Sequence, residues 1–176
     1  MGYLCYSWLR WRRDGAPPSG TATFAVLFGT QLPDLVDKPL AWGFALLPTG
    51  RTLAHSLLAA GLVLGVAWLL AGPARRELVG ALGVGWVSHS LVDLVPAVVA
   101  GKYAALGSLL WPVTSVPPYE TERTVLSHLR AVEVGPLIAV ELILVAVAAV
   151  VWYRDGLPGF PRLRALTVRA VRAVRE

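Results

Sequence analysis

The sequence is poor in charge and in cysteine. Only 15% of its 176 residues are Asp, Glu, Lys or Arg, against roughly 25% in soluble domains. Apolar residues make up 56%. The single cysteine, Cys5, excludes an internal disulfide. The chain does not open with a basic segment, an apolar stretch and a small-residue cleavage site, so we expect no cleavable signal peptide. This composition is typical of an integral membrane protein.

Three apolar runs are long enough to cross a bilayer. They cover residues 52–72, 78–100 and 134–153. About 20 helical residues span a hydrocarbon core of roughly 30 Å. A fourth crossing is expected over residues 21–48, in two pieces. An apolar helix over 21–32 ends at Pro33, and a second short apolar piece follows.

The predicted fold is therefore an all-α, multi-pass transmembrane bundle of about four crossings in the cell membrane, with its first crossing broken. Residues 1–155 form the membrane-embedded domain, and 101–130 are expected to be polar and irregular. Residues 156–176 form a basic cytoplasmic tail. If the tail is helical, its arginines and apolar residues fall on opposite sides, which suits a helix lying on an anionic membrane surface. A disordered basic tail is the alternative.

Positive charge gathers beside the apolar segments, and the formal net charge is +5. Basic residues placed in this way orient a membrane protein, so we expect no nucleic-acid partner. With both termini in the cytoplasm, 11 basic residues face the cytoplasm and 5 face outward. The cytoplasmic set is Arg10, Arg12, Arg13, Arg75, Arg76, Arg154, Arg162, Arg164, Arg169, Arg172 and Arg175, and the outer set is Lys38, Arg51, Lys102, Arg123 and Arg130. The positive-inside rule favours this orientation.

A few ionisable residues interrupt the apolar runs. Placing such a side chain in a membrane is costly, which makes it a candidate for function. In the predicted topology Asp34, Asp37, His55, His89 and Asp93 reach a similar depth near the outer face from three separate segments. The last two are four residues apart and would share one helix face.

Imidazole and carboxylate together are ligands for Zn²⁺, Mn²⁺ or Fe²⁺, whereas Mg²⁺ and Ca²⁺ prefer oxygen alone. Taken singly, His89 and Asp93 could also be an interhelical hydrogen-bonding pair, and His55 could lie at a membrane interface. Glu141 has no evident partner in the sequence. His128 and Glu133 are five residues apart, share no helix face well and are left out of the predicted site.

Four short motifs carry a resemblance to a known family. "LPDLVD", "GRTLAHSLL", "GWVSHSLVDLV" and "LLWP" occur in the order found in membrane-bound metal-dependent hydrolases, also called YdjM-like or LexA-binding inner-membrane-associated hydrolases. That family is similar in pattern to zinc-dependent phospholipase C and P1 nuclease, α-helical enzymes that hydrolyse phosphate esters. The resemblance, over residues 20–115, implies that Asp34, His55, His89 and Asp93 are metal ligands. It also implies that "LLWP" walls the site, with Trp111 contacting substrate.

The sequence departs from the family pattern at two places. The family's paired aspartates are two residues apart, whereas Asp34 and Asp37 are three apart, and we favour Asp34 as the ligand. The family also carries a His upstream of a "GYL"-like run, whereas this sequence starts at "MGYLCYS". We therefore expect the natural N-terminus to lie further upstream, or a second metal site to be incomplete.

The predicted activity is metal-assisted hydrolysis of an ester, or of the phosphoester of a lipid, beside the membrane surface. Zinc is the expected metal, with manganese or iron as alternatives. Asp37 would orient a histidine or accept a proton. A metal- or proton-handling transport protein and a non-catalytic membrane scaffold are the rival functions. The sequence does not indicate an oligomeric state.

Overall fold

The computed structural model describes residues 1–116 and 136–165, and within these ranges the secondary structure is helical, without strands. This confirms the all-α prediction for the described part of the chain. The last described part of the chain includes a short helical segment over 160–165. The main α-helices are α1 (Gly2–Asp14), α2 (Gly20–Lys38), α3 (Leu57–Leu70), α4 (Pro73–Val92), α5 (Val95–Val99) and α6 (Pro136–Arg154), with a π-helical turn at Pro39–Gly43 and a 3-10 helix at Tyr103–Leu110.

The prediction that Pro33 ends the first apolar helix was wrong. Helix α2 starts at the N-cap Ser19, passes through Pro33 and continues without a gap into the π-helical turn Pro39–Gly43. A proline inside a helix removes one backbone hydrogen bond. Pro33 is buried and α2 packs along α4, so tertiary packing outweighs this local cost. The first apolar segment is therefore one continuous helical element and is not broken at Pro33.

Helices α2 and α4 form the centre of the bundle and touch backbone to backbone. A Cβ added to Gly29 would collide with the carbonyl oxygen of Leu82, and one added to Gly85 would collide with that of Val26. Only glycine allows this approach, as in the small-residue interfaces of membrane helices. The crossing fixes the C-terminal ends of α2 and α4 side by side.

One helical stretch in the described residues is long and apolar enough to cross a membrane. It comprises α4 and α5, from Pro73 to Val99, with 27 residues and a mean hydropathy of 1.5. The predicted span 52–72 differs, because its helix starts only at Leu57 and has 14 residues. At 1.5 Å per residue, α3 covers about 21 Å. The number of four crossings and the orientation of the termini stay predictions.

The helix surfaces carry many exposed apolar side chains. On α3, Leu62 is 71% exposed and Leu70 is 82% exposed. Apolar surface of this kind suits contact with lipid. Helix α6 packs on the core near its C-terminal end, through Val151 and Trp152. Several predicted features lie outside the described residues, namely residues 166–176 of the tail, Arg123, His128, Arg130 and Glu133.

Candidate metal centre

The site is built around a carboxylate that is completely buried. Asp37 Oδ2 accepts hydrogen bonds from the backbone N–H of Thr52 at 2.8 Å and of His55 at 3.2 Å, and Oδ1 accepts one from Ala54 at 2.8 Å. The same Oδ2 lies 2.8 Å from the Nδ1 of His55. Converging N–H donors stabilise a buried carboxylate that would otherwise be costly. They also hold residues 52–55 in a turn, which is why α3 cannot begin before this point.

Hydrogen bonds from Ser56 and Trp86 hold the C-terminal part of this turn in place. Ser56 caps α3 by accepting hydrogen bonds from the first backbone N–H groups, and its hydroxyl donates to the carbonyl oxygen of Trp111 at 2.7 Å. The indole of Trp86 donates to the carbonyl oxygen of Ala54 at 2.5 Å. His55 is left only 2% exposed. Its ring is therefore held rigidly, with Nδ1 toward Asp37 and Nε2 on the opposite side.

Three side chains, one from α2 and two from the end of α4, lie around Nε2 of His55, which belongs to the 52–56 turn. This nitrogen lies 3.6 Å from Oδ1 of Asp34 and 3.6 Å from Oδ2 of Asp93. The Nε2 of His89 lies 3.7 Å from the same Asp34 oxygen. The ligand atoms of Asp34, His55 and His89 all lie within 4.8 Å of one another, close enough for the three side chains to hold one metal ion.

None of the four atoms makes a hydrogen bond, although Oδ2 of Asp93 is in an ion pair with Nε of Arg51. Oδ1 of Asp34, Nε2 of His55, Nε2 of His89 and Oδ2 of Asp93 are all buried without a hydrogen-bond partner. Buried polar atoms nearly always have one, so such a cluster requires an explanation. Two ligands of a tetrahedral zinc lie roughly 3.4 Å apart, because each is about 2.0–2.2 Å from the ion. The 3.6 and 3.7 Å separations fit this spacing, and the donor types fit a transition metal.

Two cations bind the acidic residues of the cluster. The Nζ of Lys38 donates to Oδ2 of Asp34 at 2.5 Å, and Nη2 of Arg51 donates to Oδ1 of Asp93 at 2.9 Å. The Nε of Arg51 also contacts Oδ2 of Asp93 as part of this ion pair. Neither cation belongs to the site that was predicted from the sequence. Lys38 follows Asp34 by four residues, a spacing that indicates a helical ion pair, whereas the Arg51–Asp93 pair spans 42 residues and leaves no local signal.

The structure brings the four predicted ligands together and separates Asp37, the fifth candidate residue, from them. Asp37 lies behind His55, where both of its oxygens are already engaged. Asp93 approaches His55 instead of pairing along the helix with His89, because it caps α4 and donates its own N–H to the carbonyl of His89. Trp111 contacts Ser56 through its backbone carbonyl. The role of the Trp111 side chain in substrate binding stays a prediction.

Comparison with known proteins identifies the family. A family model described as YdjM inner membrane protein matches residues 1–158. Searches of curated proteins and of solved structures return no match. The similarity to metal-dependent hydrolases and to P1 nuclease therefore stays a prediction. A match over this much of the sequence is sufficient to assign membership, and the chain belongs to the YdjM inner membrane protein family.

Proposed function

We propose that this protein is a membrane-bound metal-dependent hydrolase that acts on an ester or phosphoester, with a membrane lipid as the source of that group. The observation that carries the proposal is the cluster of buried donor atoms around His55, of which Oδ1 of Asp34, Nε2 of His55 and Nε2 of His89 have no hydrogen-bond partner. A non-catalytic scaffold would have no use for them, because each unsatisfied buried polar group destabilises the fold. A bound cation would satisfy all three at once.

Asp34, His55, His89 and Asp93 would hold the ion, and zinc fits this donor set well, with manganese or iron as alternatives. A metal in such a site supplies Lewis-acid chemistry: it lowers the pKa of water and polarises the oxygen of an ester. All four ligands are nitrogen or oxygen donors. The only cysteine, Cys5, is in α1 and is not among these four ligands.

Asp37 would act through His55. Because a carboxylate only accepts hydrogen bonds, the contact of 2.8 Å assigns the ring proton of His55 to Nδ1. Nε2 then keeps its lone pair, directed at the cluster. Carboxylates that orient metal-binding histidines are common behind metal sites. Since Asp37 is wholly buried and accepts three backbone N–H groups, this positioning role is favoured over proton transfer from water.

Lys38 and Arg51 would position the two acidic ligands. Lys38 takes Oδ2 of Asp34 and leaves Oδ1 directed toward the histidines. Arg51 contacts both oxygens of Asp93, and Oδ2 of that carboxylate also faces His55. They also balance the negative charge of Asp34 and Asp93. Metal binds the ionised form of a carboxylate, so a cation beside each of these residues favours the ligand state.

The proposal is tested by hydrolysis with the full chain purified in detergent. Bis(para-nitrophenyl) phosphate and a para-nitrophenyl ester serve as probes, each with added Zn²⁺ or Mn²⁺. We expect metal-dependent release of nitrophenol by the wild type and its loss in His89→Ala. Asp155→Asn, at the other end of the bundle, is the control and should keep the activity. Equal release by the wild type and His89→Ala would contradict the proposal.

A further inference from the structure

Glu141 is an isolated charge on an apolar helix. It is the sole acidic or basic residue from position 136 to position 153. Within residues 1–116 and 136–165, no hydrogen bond or ion pair reaches its carboxylate, and the side chain is exposed. A carboxylate in an apolar membrane segment is costly and indicates a function. The question is what this carboxylate faces.

Glu141 lines a cavity that also reaches two of the candidate metal ligands. A cavity of about 350 Å³ lies between α1, α2, α4 and α6, with His89 and Asp93 on one side and Glu141 on another. Gln31 and Ser88 add neutral polar groups to its lining. This volume falls in the range of small-molecule binding sites. Glu141 therefore shares one cavity with two of the metal-ligating side chains.

The surroundings of this cavity are apolar. Beyond Glu141 on α6, Leu142 is 64% exposed and Val145 is 66% exposed, whereas Val151 and Trp152 pack on the core. Leu27 and Val92 line the cavity itself. A ligand that binds here would thus meet polar groups at the metal end and apolar surface beside them. That combination suits an amphiphile.

We propose that Glu141 contacts the substrate and selects amphiphiles whose head group carries an ammonium group beside the ester or phosphoester. This inference rests on the proposed function, since it places the ester at His89 and Asp93. A carboxylate accepts hydrogen bonds and attracts cations, so it favours an ammonium group and repels an anionic one. Among the described residues, Lys38 and Arg51 are already paired with Asp34 and Asp93, so neither of them neutralises Glu141.

The test is a binding measurement that does not depend on catalysis. Two lipids with the same short acyl chains are titrated calorimetrically into detergent-purified full chain: dihexanoyl phosphatidylethanolamine, which carries an ammonium group, and dihexanoyl phosphatidate, which does not. We expect the wild type to bind the ammonium lipid about tenfold more tightly, the size of one hydrogen bond to a charged group. Glu141→Gln should reduce this preference to less than about threefold.

A second variant distinguishes a specific effect on lipid preference from misfolding of the protein. Glu141→Lys should reverse the preference toward phosphatidate, a result that a damaged fold would not give. Glu77→Gln is the matched control, since Glu77 lies on α4 against Arg10 and outside this cavity. It should keep the preference of the wild type.

The outcomes separate this inference from the proposed function. An unchanged preference in Glu141→Gln, or no binding of either lipid by the wild type, would overturn the role of Glu141. If hydrolysis still required His89 in that case, the proposed function would stand. Conversely, a preference that depends on Glu141 without any hydrolysis would support the binding pocket and reject the enzyme.

Discussion

The two ends of the bundle use carboxylates in opposite ways. Beyond the C-terminal end of α6, Asp155 accepts hydrogen bonds from Tyr3 at 2.6 Å, Ser7 at 2.7 Å and Trp11 at 2.9 Å. Both of its oxygens are satisfied, and it ties α1 to the chain after α6. At the C-terminal ends of α2 and α4, Asp34 and Asp93 each direct one oxygen at histidines without a hydrogen bond, although that oxygen of Asp93 is also in an ion pair with Arg51.

This difference separates a structural carboxylate from a ligand. A fully satisfied carboxylate stabilises the fold by itself, whereas an incompletely satisfied one stabilises it only when something else binds. Asp37 lies in the metal centre but belongs with Asp155, because its oxygens are engaged by backbone N–H groups and by His55. Proximity to the site therefore does not by itself identify a ligand.

The largest difference is expected in a labelling experiment that reports which side of the membrane each end of the bundle faces. We predict that the metal centre faces outward and the Asp155 end faces the cytoplasm. In a Cys5→Ser background, a membrane-impermeant maleimide added to intact cells should label Leu46→Cys and should miss Arg164→Cys until the cells are permeabilised. Both positions are exposed. Labelling of Arg164→Cys alone in intact cells would reverse the orientation.

Asp37 is expected to be the most important of these carboxylates for stability. Asp37→Asn places an amide N–H group against backbone donors and leaves buried groups unpaired, so it should lower the free energy of unfolding by about 3 kcal/mol. Asp34→Asn is the matched comparison and should cost far less in metal-free protein. Titration with a denaturing detergent in mixed micelles measures both. Equal losses would remove the distinction between the two aspartates.

Removing metal should lower the free energy of unfolding only through the side chains of the candidate metal centre. Free metal at 100 times its dissociation constant should stabilise the wild type by about 2.7 kcal/mol relative to protein treated with a chelator. Asp34→Asn and His89→Ala should show little of this stabilisation, while Asp155→Asn should keep it. Thermal unfolding followed with and without Zn²⁺ provides the measurement. The same shift in wild type and His89→Ala would indicate that metal binds elsewhere.

A smaller loss of folding stability is expected from substitutions in the hydrogen-bond cluster around Asp155. Asp155→Asn should cost about 2 kcal/mol, because three donors lose a charged acceptor, and Tyr3→Phe should cost about 1 kcal/mol, because only one donor is removed. Neither variant should change metal content. The detergent titration and elemental analysis of the same samples test both statements. Loss of metal in Asp155→Asn would show that the two ends are coupled.

The residues of the metal centre were predictable because they interrupt apolar segments. His55, His89 and Asp93 stand out by their cost in a membrane, and Asp34 adjoins such a segment. The helix boundaries were harder to predict from the sequence. The turn over residues 52–55 depends on hydrogen bonds to Asp37, which is 15 or more residues away in sequence, so an apolar run looked like an uninterrupted span.

Other features left no local signal at all. The Tyr3–Asp155 contact joins residues 152 apart, and no periodicity could indicate it. The continuation of α2 through Pro33 depends on packing against α4, which local propensity does not include. Glu141 was recognised as an unusual charge in the sequence, but its position beside His89 follows only from the arrangement of the helices.

The central claim is that the four converging donor atoms hold a metal. Elemental analysis of detergent-purified wild type, His89→Ala and Asp155→Asn, each equilibrated with Zn²⁺ and then desalted, tests it most directly. We predict near-stoichiometric zinc in the wild type and in Asp155→Asn, and at least a tenfold lower content in His89→Ala, because a lost ligand weakens a metal site strongly. Equal zinc in all three proteins, or none in the wild type, would contradict the claim.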